Sequence, residues 1–329
     1  MSLSFLRKLA PKPLIPRSLV SLTSTASFST FPEVPTSAYY DDLVNAAGHN
    51  RDLDTLHYLL NKRIRDHCFN TTSTFKFITN TETSLSILTD LIKTLARLDN
   101  GFPRKSAFEA LIARLCKLDR VDESLNVVDF MARGKFGLNA GTFHPIICCL
   151  TRKKNMERSW RLIEIMRELG VLPDITSLNY LLTAYCFKGD LTAASGVMKR
   201  IEEEGLCVDS RTHDALVLGA CKTGKVEGAL VVLRRMEDDG VPVLYSTHAH
   251  VINALLKQGY YDQAVKFVLI CGGKEKGLDT ENFGILGSKL IKLERLKEAK
   301  FVLEEMEKRG LFMGDKLSEY YNLNLKNLQ

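Results

Sequence analysis

The sequence predicts an all-α protein, a solenoid of stacked antiparallel helix pairs built from 35-residue repeats. Three observations predict it. A period of 35 residues sets out frames beginning at Lys105, Ala140, Ile175, Ser210, Tyr245 and Thr280. The twentieth place of a frame is small each time, as Ser124, Ser159, Ala194, Ala229, Ala264 and Ala299. The twenty-seventh holds Met131, Met166, Ile201, Met236, Cys271 and Met306, and Gly170, Gly205, Gly240 and Gly310 fill the thirty-first. One helix pair cannot bury its apolar face alone, so units that recur in this way stack, and the chain needs no single central core.

From the N-terminus, residues 1–30 stand apart. They carry Arg7, Lys8, Lys12 and Arg17, no Asp or Glu, and many Ser and Thr. Phe5, Leu6 and Leu9 can share one side of a short helix, and Pro11, Pro13 and Pro16 break the apolar run that a secretory signal needs. The segment therefore reads as an organelle transit peptide cut near Phe28 or Ser29. The early basic amphipathic turn favours the mitochondrion, with the matrix as destination and a plastid as the alternative.

Residues 31–104 read as degenerate N-terminal helical repeats: a helix pair over 37–66, a polar loop over 68–84 and an amphipathic helix over 85–98. The stretch, CFNTTSTFKFITNTETS, is polar, β-branched and poor for a helix, and reads as a loop or a decayed first helix. Six repeats follow, 105–139, 140–174, 175–209, 210–244, 245–279 and 280–314, each reading as two helices. Apolar residues at the fourth, seventh, eighth and eleventh places, such as Leu178, Leu181, Leu182 and Tyr185, make one helical stripe. Gly189 and Gly224 mark the turn into the second helix, since glycine accepts the left-handed conformation that ends one. Residues 315–329 read as a partial capping helix.

Composition excludes several classes. The 329 residues hold 45 Lys+Arg against 39 Asp+Glu, but four of the basic residues lie in 1–30, leaving 41 against 39 in the remainder. Bulk charge thus says little for a nucleic-acid partner, and the case rests on where the charges sit. No apolar run reaches the roughly 18 residues of a membrane span. Cys116, Cys186 and Cys221 recur at the twelfth place, as packing residues do, and the adjacent Cys148 and Cys149 suit neither a CxxC site nor a zinc knuckle. His248 and His250 alternate on a predicted helix and so point to different faces. HExxH, GxSxG, P-loop and dinucleotide motifs are absent from the sequence. The expectation is a protein that is not an enzyme, with no catalytic or metal-binding residues, no cofactor and no small-molecule substrate. The acidic stretches Glu202–Glu204 and Glu237–Asp239 read as solvated faces of second helices.

The 35-residue period, the CKTGKVEGAL centre at Cys221–Leu230, the Met late in the second helix and GVLPD at Gly170–Asp174 resemble the pentatricopeptide repeat proteins of the P subfamily, over about two-thirds of the chain. A tetratricopeptide array would want Gly at the eighth place and Trp at the fourth. Here the eighth is Ile112, Ile147, Leu182, Val217, Ile252 and Gly287, and the sole Trp160 lies in a second helix. The resemblance implies a right-handed superhelix with the first helices lining a concave face, residence in an organelle, and RNA binding.

It also implies roles for particular places. In the family the fifth and last places of a frame contact one base, here Glu109 with Asn139, His144 with Asp174, Asn179 with Asp209, Asp214 with Leu244, Ala249 with Asp279 and Gly284 with Gly314. Of these, Asn179 with Asp209 matches a common combination, associated with uridine. The second places, Ser106, Gly141, Thr176, Arg211, Ser246 and Glu281, lack the aliphatic residue that sandwiches the base. The thirteenth place, where members touch phosphates, holds Lys117, Arg152, Phe187, Lys222, Lys257 and Lys292, basic in five frames of six. A cation there also complements the helix macrodipole, worth ~0.3–1 kcal/mol, so both readings stand. Backbone contacts kept beside eroded base readers point to RNA held by shape. The expected role is an organellar RNA-binding adaptor on ribosomal RNA or a mitochondrial transcript, with ribosomal proteins as neighbours, as in short members built into plant mitochondrial ribosomes. The alternatives are a transcript-specific single-stranded RNA factor for processing, stability or splicing, and a protein–protein scaffold.

Overall fold

The computed structural model describes residues 35–326. The transit-peptide reading of residues 1–30 lies outside them. The described residues are helices, turns and loops without a strand, and they form two compact units divided between Ile146 and Ile147.

The first unit opens with α1 (Ser37–His49) and α2 (Leu53–Arg65). Each has a side-chain N-cap that satisfies one of the free amides of its first turn: Thr36 accepts from Tyr39 N, and Asp52 accepts from Thr55 N. After them come α3 (Glu82–Leu85), α4 (Leu88–Ala96), α5 (Phe102–Lys117), α6 (Val121–Arg133) and the start of α7 (Ala140–Arg152). α5 begins three residues ahead of the Lys105 frame, with Pro103 in its first turn, where the missing amide costs nothing.

The polar stretch 68–84 is no solvated loop. It turns inward, buries Phe75, Phe77 and Ile78, and ends in the short helix α3. Two of its threonines, Thr71 and Thr74, are used internally, around an Arg63 side chain that is 0% exposed. Arg63 donates to Asp41 Oδ1 at 3.0 Å, to Thr74 Oγ1 at 3.2 Å and to the carbonyls of Ser37 at 3.2 Å and Phe69 at 2.5 Å. Asp41 in turn accepts from the hydroxyls of Thr71 and Thr74. A composition that looks like a surface loop is here the lining of a buried ion pair.

In the second unit first helices α9 (Ile175–Lys188), α11 (Ser210–Lys222), α13 (Tyr245–Lys257) and α15 (Lys276–Lys292) stack in sequence order. Each pairs with its own second helix, α10 (Leu191–Glu203), α12 (Val226–Asp238), α14 (Tyr261–Cys271) and α16 (Leu296–Lys308). α8 (Met156–Glu168) precedes them, and α17 (Asp315–Tyr320) with a π-helical turn (Tyr321–Leu325) closes the unit. A continuous core runs from Val217 through Met236, Val251, Leu286 and Met306 to Leu325, and the small residues Ala229, Ala264 and Ala299 are wholly buried within it. These residues let paired helices approach closely, which lets each stripe bury against the next.

α9, α11 and α13 start on the first residues of their frames, but α15 starts four residues before Thr280. The cause lies in α14, which ends at Cys271 ahead of Gly272–Gly273, and the early stop shortens the connection to residues 272–275. Asp279 becomes a buried residue inside α15, where it accepts from Gly273 N at 2.7 Å. The second helices also differ from the sequence expectation at Glu204, which is ion-paired with Arg167 and with Arg200.

Gly189 ends α9 at φ 81°, in the left-handed region, with open space around it but for Thr223 Cγ2 at 3.4 Å from an added Cβ. Alanine there meets backbone strain rather than a clash. Gly189→Ala is expected to cost about 1–2 kcal/mol, read as a lower urea midpoint, with helix content unchanged.

Candidate nucleic-acid interface

The last-place residues Asn139, Asp174 and Asp209 cap helices, and this explains their chemistry. Asp174 accepts from Ser177 N and Ser177 Oγ, both at 2.8 Å. Asp209 accepts from Thr212 N at 2.8 Å, and Asp209 N donates back to Thr212 Oγ1 at 3.2 Å, a reciprocal capping box at the head of α11. Asn139 accepts from Thr142 N at 3.2 Å before α7.

Capping brings two of the candidate pairs together. Asn179 Nδ2 donates to Asp209 Oδ1 at 3.0 Å, and Thr212 Oγ1 lies 2.9 Å from Asn179 Oδ1. Glu109 Oε1 accepts from Thr142 Oγ1 at 3.1 Å, beside Asn139 Oδ1 at 3.3 Å from the same hydroxyl. His144 belongs to the first unit, half-buried on α7, and Asp174 to the second. Asn179 is only 5% exposed and its amide is held at both ends.

These hydrogen bonds have a pH signature. Burial pushes the Asp209 carboxyl up, but bonds from Thr212 and Asn179 outweigh it and hold the group below its usual 3.8. A carboxyl lowered in the folded state contributes stability above its unfolded value and loses it as pH falls through the folded one. Asp209→Asn keeps a capping side chain and removes the titration. The acid limb of a stability-against-pH curve is expected to be shallower in that variant, and an unchanged limb would contradict the assignment.

A further column, the third place, holds a hydroxyl in four frames and is not among the places picked out from the sequence. Thr142, Ser177, Thr212 and Thr247 are wholly buried hydroxyls, three of which bridge to the fifth place of the preceding frame. The signal for them is a Ser or Thr three residues after the last place of the preceding frame, just ahead of an apolar stripe. Through this bridge Asp214, at a frame whose last place is Leu244, accepts from Thr247 Oγ1 at 2.7 Å and Ser246 Oγ at 2.9 Å, with His250 Nε2 at 3.7 Å. All three address Oδ1, which leaves Oδ2 without a partner among the described residues. Burial raises this carboxyl, and the neighbouring His250 ring together with the hydrogen bonds from Thr247 and Ser246 outweighs it and holds it down.

Five candidate cations stand at helix ends. Lys117 closes α5 in the first unit, and Arg152, Lys222, Lys257 and Lys292 close α7, α11, α13 and α15 in the second. All are exposed, and none makes an ion pair with another described residue. α9 carries Phe187 there instead, 56% exposed, with the Lys222 ammonium 4.4 Å from the ring centroid.

Arg152, Asn179, Tyr180, Phe187, Arg211 and Asp214 face a cavity of about 970 Å³ in the second unit. Its lining holds the cations Arg152, Lys154, Lys188 and Arg211 against the single carboxylate Asp214. Such a groove attracts polyanions and offers one fixed acceptor. Among the described residues no group of three metal-binding side chains converges, and no helix is long and apolar enough to cross a membrane. Burial pushes the Cys186 and Cys221 thiols up to about 11 and about 12, so both stay protonated as packing groups at neutral pH.

Stacked helix pairs with recurring caps define an α-solenoid repeat protein. A family model described as pentatricopeptide repeat-containing protein matches residues 89–201, and the PPR repeat model matches 211–241 and 283–311. A pentatricopeptide repeat-containing protein of Arabidopsis thaliana, named as mitochondrial, is 47% identical over 98% of this chain and 95% of its own length. A second one from the same plant, also named as mitochondrial, is 49% identical over 93% of this chain and 88% of its own. The chain belongs to the pentatricopeptide repeat family. The small ribosomal subunit protein mL103 (rPPR7) of Arabidopsis thaliana is 32% identical over 29% of this chain and 23% of its own. Among solved structures, PPR10 with an 18-nt psaJ RNA element aligns at TM-score 0.44 and 16% identity, over 84% of this chain and 44% of that one.

Proposed function

We propose that the chain is an organellar RNA-binding adaptor, a binding rather than a catalytic protein, that grips RNA mainly through its backbone and shape. One contrast carries this reading. The cations Lys117, Arg152, Lys222, Lys257 and Lys292 are exposed and make no ion pair with another described residue, Lys222 resting against the Phe187 ring, whereas Glu109, Asn139, Asn179 and Asp174 spend their polar atoms on neighbours within the fold. Groups committed to capping have little left for reading bases, while free ammonium and guanidinium groups suit phosphates, which position an RNA without specifying its sequence. The mitochondrial names of the two relatives support the mitochondrion as its place, and the matrix is the compartment proposed for a protein that binds mitochondrial RNA. The partial likeness to mL103 supports the mitochondrial ribosome, with ribosomal RNA and ribosomal proteins as partners.

A second reading, a transcript-specific factor on single-stranded RNA, draws on the Asn179–Asp209 pair. Gradient fractionation of mitochondria combined with sequencing of crosslinked RNA separates the two. Co-migration with a ribosomal subunit and crosslinks to its RNA support the adaptor. A slow-sedimenting protein crosslinked to one messenger or intron supports the transcript factor and overturns the adaptor.

A further inference from the structure

Phe187 is in the wrong environment for a core residue. Phe108, Phe143 and Phe283 are almost wholly buried, but Phe187 is 56% exposed at the end of α9, at the place where the neighbouring frames carry cations. Burial does not hold it there. Among the exposed aromatic residues of the described chain, it is the one that lines the 970 Å³ cavity, whose size lies in the range of about 300–1,000 Å³ that small ligands occupy.

Three further observations give the ring a chemistry. The Lys222 ammonium sits 4.4 Å from its centroid, a cation–π contact that fixes the ring and enriches its surroundings in positive charge. Arg152, Lys188 and Arg211 line the same cavity, so an anionic backbone is drawn to the ring's edge. The second places at this cavity, Thr176, Arg211 and Ser246, supply no aliphatic surface for a base, so the exposed apolar face that remains is Phe187. A flat apolar ring amid phosphate-binding cations matches one ligand class, an unpaired nucleobase, whose π-face stacks on aromatic side chains regardless of its identity.

We propose that Phe187 is a stacking platform for a single unpaired base, a bulged or looped-out nucleotide of a structured RNA, with Lys222 behind the ring and the flanking phosphates on Arg152 and Lys188. The proposal rests on the RNA-binding reading. It adds a mode of discrimination that reads whether a base is free rather than which base it is. A fully paired helix has no base to offer the ring.

The test uses the full chain and two RNA hairpins, one fully paired and one with a single bulged 2-aminopurine, whose fluorescence falls when it stacks. Wild-type protein is expected to quench the bulge and to bind the bulged hairpin about tenfold tighter than the paired one. Phe187→Ala is expected to lose both the quench and the preference while keeping its circular dichroism, its melting curve and its binding to the paired hairpin. Phe187→Trp is expected to restore both. Quenching and preference that persist in Phe187→Ala would overturn the platform while leaving RNA binding standing. Failure of wild-type protein to bind either hairpin at low salt would overturn the RNA-binding reading, and the platform with it.

Discussion

Replacing Arg152, Lys222, Lys257 and Lys292 together by Gln is expected to weaken binding to every RNA about 600-fold near 0.1 M salt, if each cation neutralises one phosphate. The size follows from counterion release, in which log affinity falls with log salt at about 0.7 per neutralised phosphate of a single strand. With Lys117 included, five contacts predict a slope of about −3.5, and the fourfold variant, with one contact left, about −0.7. The loss should be alike for unrelated sequences, because phosphates carry no base identity. Folding gives a built-in control. Each residue also faces the C-terminal end of its helix, so each removal costs about 0.3–1 kcal/mol of macrodipole interaction. If that were their whole role, stability would fall while RNA affinity and salt slope stayed put.

The second large effect lies in the first unit. Arg63→Met is expected to destabilise that unit by about 3–5 kcal/mol, because it leaves a buried carboxylate without its partner. Asp41 is 4% exposed and the carbonyls of Ser37 and Phe69 lose their donor as well. The double variant Arg63→Met with Asp41→Leu should recover part of the loss, but not all, since Thr71 and Thr74 then lose their acceptor. Urea denaturation followed by circular dichroism reads both. A loss below about 1 kcal/mol in the single variant, the scale of a surface ion pair, would mean that the pair is solvated in solution.

Much of the architecture was legible in the residues because the repeat is local. The stripe Leu178, Leu181, Leu182 lies within one helix, and Gly189 ends that helix by its own backbone preference, so nothing distant is needed to read either. The 68–84 segment was not legible for the opposite reason. What folds it is a contact between Arg63 and Asp41, 22 residues apart, and between Thr74 and Asp41, 33 apart, and neither separation follows the period. The early start of α15 depends on where α14 stops, which the glycines at 272 and 273 decide against the periodic frame.

The candidate interface was half legible. The cations and the fifth and last places could be named from their columns, because one column is one position in space repeated. The third-place hydroxyls sit in a column just as regular, as Thr142, Ser177, Thr212 and Thr247. Their role appears only with the helices stacked, since each bridge crosses from one frame to the next. The same holds for Phe187 and Lys222, which are 35 residues apart and meet because adjacent first helices bring equal places together.

Recognition by backbone and shape is tested most directly by pairing two RNAs against one. A structured RNA that the protein binds is compared with a version whose sequence is scrambled but whose base pairs and bulges are kept, and with a version of unchanged base composition that cannot fold. Shape recognition predicts near-equal affinity for the first two and a clear loss for the third. Tight binding that follows one single-stranded sequence and disappears on scrambling would contradict it.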